Sequence, residues 1–475
     1  MVDLAARPLP LRPGIGAAHD GVSTASTQAQ AFYDQGLAYL HAYVWLEAAR
    51  SFTQALRLDA NLGIAHGMLS IAFTELNAPA AARDAMARAR QLAPRASDHD
   101  RRHIDARGLQ MAAEEAGHDV ARLAAYRAAL DEALRTFPSD EEFWLLRGLA
   151  ESPDPAERGQ GGDTGSIRFY EQAAALAPGH FAAHHYLAHA LENTGRATDA
   201  IEHGAAFARM APRVPHARHM HGHALRRLGR TEEAIAEFQA ADALETEYFR
   251  TENLPVDSDW HYHHNLDLLA TSYQYLGQMA KAESLLRQSF GMASALVEQE
   301  FNKREWPVFL LLRGRAHEAL EAAAVMAGHR SPLVSAAGHV MIGEARLALG
   351  QFQSAAEEAN TALRLMRSAP VGAGLVANSL QALQGQFLLK TGQKDRGRAV
   401  LEDLVKKVRA APGPDAWTQA IFTLDAVART AREAGDDDFA GWVARQMIEH
   451  DPSYGGAHLV SPTTRRMVGA FQRVQ

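Results

Sequence analysis

The chain has 475 residues, 48 basic against 56 acidic side chains for a net charge of −8, and no cysteine. The missing cysteines exclude disulfides and thiolate metal sites, and without a long basic run nucleic acid is not an expected partner. No window approaches the roughly 18 consecutive apolar residues of a membrane span, so a soluble cytoplasmic protein with no membrane partner is expected.

The opening, "MVDLAARPLPLRPGIGAAHDG", has no apolar stretch behind a basic start and does not read as a signal peptide. Its proline and glycine predict a poorly ordered extension over residues 1–27. A repeat follows. Gly36, Ala48, Phe52 and Ala55 are spaced as are Gly222, Ala234, Phe238 and Ala241. The same spacing holds for Ala188, Ala200, Gly204 and Phe207, for Ala270, Ala282, Leu286 and Ser289, and for Gly343, Ala355, Ala359 and Ala362. Small residues at these points let two antiparallel helices approach closely, and "LGR" or "LGQ" supplies the turn between them. Weaker units fall near 62–94, 100–137, 140–177, 296–327, 374–410 and 415–450. Two stretches break the rhythm, "ESPDPAERGQGGDTGS" (151–166) and "TEYFRTENLPVDSDW" (246–260), and both read as long loops.

The pattern resembles the tetratricopeptide repeat (TPR), whose period is about 34 residues. The resemblance runs over roughly residues 28 to 450. It implies an all-α fold, a right-handed superhelical solenoid of antiparallel helix pairs whose inner helices line a concave groove. Four parts are expected: the extension 1–27, TPR-like repeats over 28–177, central histidine-rich repeats over 178–292 carrying the site, and further repeats with a cap over 293–475.

Twelve of the 23 histidines lie between His180 and His264. Helical geometry, about 100° per residue, sorts them. On the helix near 182–194, His185, His189 and Glu192 lie opposite Ala183, Leu187, Ala190 and Leu191, and His184 falls at the core edge. On the next inner helix His216, His219 and His223 form one stripe, away from Met220, Ala224 and Leu228, while His221 points toward the core. On the third, His264, Asp267 and Thr271 lie opposite Leu266, Leu269, Tyr273 and Leu276. Counted back from Gly195, Gly229 and Gly277, the three stripes share register, so six histidines are expected to converge in the groove.

Two histidines at i, i+4 present two imidazoles to one point, and this spacing occurs at His185/His189 and His219/His223. Imidazole without thiolate favours copper, iron or zinc. The expected ligands are His185, His189, His216, His219, His223 and His264, enough for one ion or two, with Glu192 and Asp267 as the acid/base or ligand-orienting carboxylates. His99 and His103 share the i, i+4 spacing but read as a solvated face, and His450 and His458 read as structural.

The motifs "PGHFAAHHYLAH", "HARHMHGH" and "HN" resemble a group of bacterial TPR proteins with a histidine-rich groove and, more distantly, tetratricopeptide repeat protein 38. That resemblance adds His180 to the implied ligands. It also implies an Asn-His pair beside the first turn, where this chain has "AYVWLEAA". The expected function is a metal-binding protein with a polyhistidine centre for one ion or two. The leading expectation is a metalloenzyme acting on a small molecule, with oxidation favoured over hydrolysis because carboxylates are few. The alternatives are a non-catalytic scaffold binding a peptide or protein in the groove, and metal storage or sensing.

Overall fold

The computed structural model describes residues 1–117, 119–151, 162–294, 296–369, 372–411 and 413–455, and every regular element among them is helical. Most of the insertion at 151–166, His458 and the end of the expected cap lie outside the described residues. The chain forms two compact units. One comprises Met1–Leu228 with Ala243–Glu245, and the other comprises Gly229–Asp242 and the chain from Thr246 onward. The boundary at Leu228 falls inside the block 178–292.

The first unit holds α1 (Val2–Ala5), α2 (Thr27–His41), α3 (Trp45–Leu58), α4 (Gly63–Glu75), α5 (Pro79–Leu92), α6 (Asp98–Glu115) and α7 (Val120–Thr136). It continues through α8 (Glu141–Leu149), α9 (Thr164–Leu176), α10 (Phe181–Asn193), α11 (Ala197–Met210) and α12 (Pro215–Arg227). Consecutive helices from α2 onward pack as pairs, and each pair stacks on the next. This is the TPR-like arrangement that the repeat spacing predicts.

The second unit carries α13 (Thr231–Glu252), α14 (His261–Tyr275), α15 (Met279–Gly291), α16 (Val297–Asn302), α17 (Glu305–Leu312) and α18 (Ala316–Ala327). It ends with α19 (Pro332–Ala348), α20 (Phe352–Ser368), α21 (Ala373–Lys390), α22 (Lys394–Ala410), α23 (Pro414–Glu433) and α24 (Asp437–His450). One core gathers around Val334, Val340, Met341 and Ala355, another around Leu401, Leu404, Ile421 and Met447.

The repeat positions are buried: Ala48, Phe52 and Ala55, like Ala200, Phe207, Ala234, Phe238 and Ala241, lose all contact with water. Gly204 shows why a small residue is needed there. A Cβ at Gly204 would stand 3.2 Å from the His221 Cα and 3.3 Å from the Met220 carbonyl oxygen. The backbones of α11 and α12 therefore meet at Met220 and His221.

Among the described residues, the tight turns inside the pairs take one left-handed residue. Gly195, Gly277, Gly350 and Gly392 take it with φ between 71° and 83°. In the first pair the position belongs to Tyr43 (φ 59°), in the second to Asn77 (φ 54°). Asparagine tolerates this region; a bulky aromatic is strained in it.

Two segments differ from the sequence expectation. After α1 the N-terminal extension has little regular structure, as its composition predicts, yet it is tethered along its length. Arg50 donates to the carbonyls of Arg7 and Pro8, and Gln35 exchanges hydrogen bonds with the Pro10 carbonyl and the Arg12 N–H. Arg213 N–H donates to the Gly14 carbonyl, and Ser23 N–H to Asp100. The extension offers its backbone carbonyls and N–H groups to the repeats, so it is a strap. The stretch 246–260 is also less of a loop than expected. Its first seven residues continue α13, because no breaker intervenes before Asn253 (φ 50°) and Pro255.

Candidate metal centre

Helix α10, capped by His180, exposes neither of its two inner histidines: His185 is 0% and His189 is 4% exposed. Helix α12 starts with Pro215 at its first turn and buries His216, His219 and His223. The two helices bring three imidazoles together. His185 Nε2 is 3.0 Å from His216 Nε2 and 3.1 Å from His189 Nε2. Three nitrogens sharing one tetrahedral ion at bond lengths near 2.0–2.1 Å would be about 3.3 Å apart, so the trio fits a single first-row ion with little movement.

The tautomer of His185 is set by its other side. Its Nδ1 lies 2.6 Å from the His41 carbonyl oxygen, which can only accept, so Nδ1 carries the proton and Nε2 presents a lone pair. Burial first, then the neighbouring His189, holds the ring well below the usual histidine range and hence neutral. A neutral imidazole with Nδ1 tied to a carbonyl is the form that ligates metal.

Farther along α12, His219 Nε2 and His223 Nε2 are 2.8 Å apart. Glu192 on α10 is buried, its Oε2 3.9 Å from His223 Nδ1. That places the carboxylate behind a candidate ligand rather than among the ligand nitrogens. Aromatic rings wall the trio: Phe207 stacks on His185 at 4.6 Å, and Tyr43 lies edge-on to His185 at 4.5 Å and 5.3 Å from His216.

His180 has a different setting. As the N-cap of α10 its Nδ1 accepts the Ala182 N–H at 3.3 Å, and its Nε2 donates to Glu142 Oε1 at 2.8 Å. His41 Nε2 donates to the other oxygen, Oε2, also at 2.8 Å, and the Tyr186 hydroxyl sits 2.8 Å from His41 Nδ1. Burial alone would raise the Glu142 carboxyl. The charge of His41 and the hydrogen bonds from both histidines outweigh it and hold the carboxyl well below the usual range. This brace could itself take a cation, since its ligand atoms lie within 4.8 Å of one another. Its donors are already paired, however, and the backbone of His41, fixed by Glu142, is what orients His185.

The residues expected on the third inner helix belong to the second unit. There His264 Nε2 is 3.7 Å from Asp415 Oδ2, and its ring stacks near Trp260. Asp267 is buried; burial, then Glu305, raises its carboxyl well above the usual range, against a hydrogen bond from Ser289. Thr271 returns its hydroxyl to the Leu268 carbonyl.

Sequence reasoning missed His41, Tyr43 and Glu142, which lie far from the α10 motif in the chain. It also misplaced His99 and His103: where a solvated face was expected, His103 is buried and His99 half-buried, because Asp20 of the strap sits against them. His184 meets His203 of α11, Nδ1 to Nδ1 at 2.9 Å, as a packed histidine would. His450 bonds the Trp417 carbonyl and is structural, as expected.

A tetratricopeptide-repeat family model matches residues 215–248, the segment that begins with the α12 histidines. Among solved structures the chain is similar to yeast Tom70, with 12% identity over 92% of this chain and 89% of that one and a TM-score of 0.35. It is also similar to the apo form of the quorum sensor NprR from B. thuringiensis, with 11% identity over 83% and 99% and a TM-score of 0.46. Human IFIT1, solved as a dimer with m7Gppp-AAAA, is 13% identical over 92% and 90%, with a TM-score of 0.39. No curated protein matches the chain. No helix among the described residues is long and apolar enough to cross a membrane.

Proposed function

We propose that the first unit is a metal-holding scaffold of TPR-like helix pairs. His185, His189 and His216 bind one first-row transition ion, copper, iron or zinc, and His219 and His223, backed by Glu192, extend the centre along α12. One observation carries this reading: three Nε2 atoms from two helices meet at 3.0 and 3.1 Å while the Nδ1 of the middle ring is tied to a carbonyl. A bound ion would supply a fixed positive charge that cross-links α10 and α12. Because the three ligands are nearly inaccessible, retention or sensing of the ion is favoured over turnover, which requires an open coordination position.

Tyr43 favours a second reading, metal-dependent oxidation of a small molecule. The chain holds this phenol against the histidines at the cost of a left-handed backbone.

Elemental analysis of the full chain, purified without a histidine tag, tests the proposal. Near-stoichiometric transition metal is expected, with about one equivalent lost in His185→Ala and the remainder weakened in His219→Ala. A chain that carries no metal and whose folding ignores chelators overturns the proposal and returns the molecule to the peptide-binding scaffold reading. Metal-dependent oxygen uptake, abolished in His185→Ala, would select the oxidase reading over storage.

A further inference from the structure

A second cluster in the first unit involves none of these residues. Asp20 of the strap, His99 and His103 of α6 and Asp140 at the N-cap of α8 place ligand atoms within 4.8 Å of one another. The His103 ring is 2% exposed and stacks on Phe143 at 3.9 Å. Neither of its ring nitrogens has a hydrogen-bond partner among the described residues. Its Nε2 stands 3.9 Å from Asp20 Oδ2 and 3.9 Å from Asp140 Oδ2, too far for a hydrogen bond and suited to a shared ligand between them. A buried imidazole aimed at two carboxylates across such a gap calls for an occupant.

The surrounding groups are fixed for that role. Asp140 Oδ1 accepts the N–H groups of Glu142 and Phe143 at 2.9 and 3.2 Å, which leaves Oδ2 turned toward His99 at 2.8 Å. His99 Nε2 is also 3.1 Å from Asp20 Oδ1, and its Nδ1 is 3.1 Å from Asp100 Oδ1. Asp100 in turn accepts the Ser23 N–H at 3.0 Å. A carboxylate behind one imidazole nitrogen turns the other toward a metal. Three buried or half-buried carboxylates against two imidazoles leave a negative excess that a divalent cation would balance.

We propose that Asp20, His99, His103 and Asp140 form a second metal site, a mixed carboxylate–imidazole site for a first-row divalent cation such as Zn²⁺. It is independent of the His185 centre, and its occupation locks the N-terminal strap onto α6 and α8. Two imidazoles select against calcium and magnesium, and two carboxylates make the site harder than the histidine trio.

Hydrogen exchange of the full-length protein with and without Zn²⁺ tests this locally. Zn²⁺ is expected to slow exchange in residues 17–24 at least about tenfold in the native chain, and still to do so in His185→Ala. The effect is expected to vanish in His103→Phe, which keeps the ring on Phe143, and in Asp20→Asn, which leaves α6 and α8 untouched. Exchange in residues 17–24 that ignores Zn²⁺ in the native chain, or equal slowing in both variants, overturns the proposal. Loss of the effect in His185→Ala alone would assign it to the other centre and overturn it as well.

Discussion

The side chains that define the histidine centre do so through their neighbours' backbones as much as through their own nitrogens. The i, i+4 spacing of His185 and His189 and the phase of His216 were legible, because a helix converts spacing into direction. His41 and Glu142 were not: they reach His185 through one carbonyl and one carboxylate, from helices more than a hundred and about forty residues away in the chain. Tyr43 was hidden differently, since nothing in "AYVWLEAA" announces a left-handed tyrosine. Two opposing effects meet at that residue. Replacing Tyr43 by glycine relieves about 1–2 kcal/mol of backbone strain and loses about 3–5 kcal/mol of buried aromatic packing. Urea unfolding of Tyr43→Gly is therefore expected to show a net loss of about 1–4 kcal/mol, while Tyr43→Phe stays within about 1 kcal/mol of the native chain. A glycine variant as stable as the native chain would show that the ring is not held in place by its packing on the histidines.

At the level of elements, the repeat spacing located nearly every helix pair, down to the degenerate ones at α4–α5, α6–α7 and α21–α22. What the spacing missed is what periodicity does not encode. α13 runs on through a stretch that lacks a turn signal until Asn253, and the His99–His103 face of α6 is covered by Asp20 of the strap. Caps are where pH enters. Asp436 caps α24 by accepting the Phe439 N–H at 3.3 Å and receives Arg398 Nε at 2.5 Å. The Arg398 hydrogen bond, opposed by burial, lowers its carboxyl below the usual range. A depressed carboxyl contributes stability that is present above the unfolded value near 3.9 and lost as pH falls through the folded one. Asp436→Ala is expected to cost about 1 kcal/mol at pH 7 and progressively less as pH drops below about 4, measured by urea unfolding at both pH values. A deficit that is the same at both would mean that the carboxylate charge plays no part in the cap. The packing of α11 on α12 offers a second test. Gly204→Ala puts a methyl group against the backbone at His221 and is expected to destabilise by about 1–3 kcal/mol, read from the same unfolding curves.

Over the whole molecule, the architecture is a repeated scaffold that would fold as helix pairs with or without histidines, and the chemistry is laid on it locally. Composition made the scaffold readable: abundant alanine, scarce aromatics and no cysteine leave close helix packing as the way to build a core. The same uniformity hid the strap, most of whose contacts are made by backbone carbonyls and N–H groups that carry no sequence pattern. On the proposed reading, imidazoles of α10 and α12 hold a transition ion. X-ray absorption at the zinc edge, on full-length His103→Phe protein loaded with one equivalent of Zn²⁺, tests it most directly, because that variant leaves the histidine trio as the proposed site. A first shell of nitrogen near 2.0–2.1 Å with the outer-shell scattering of at least three imidazoles is expected. A shell of oxygen alone, or an ion that dialyses away at micromolar concentration, would contradict it.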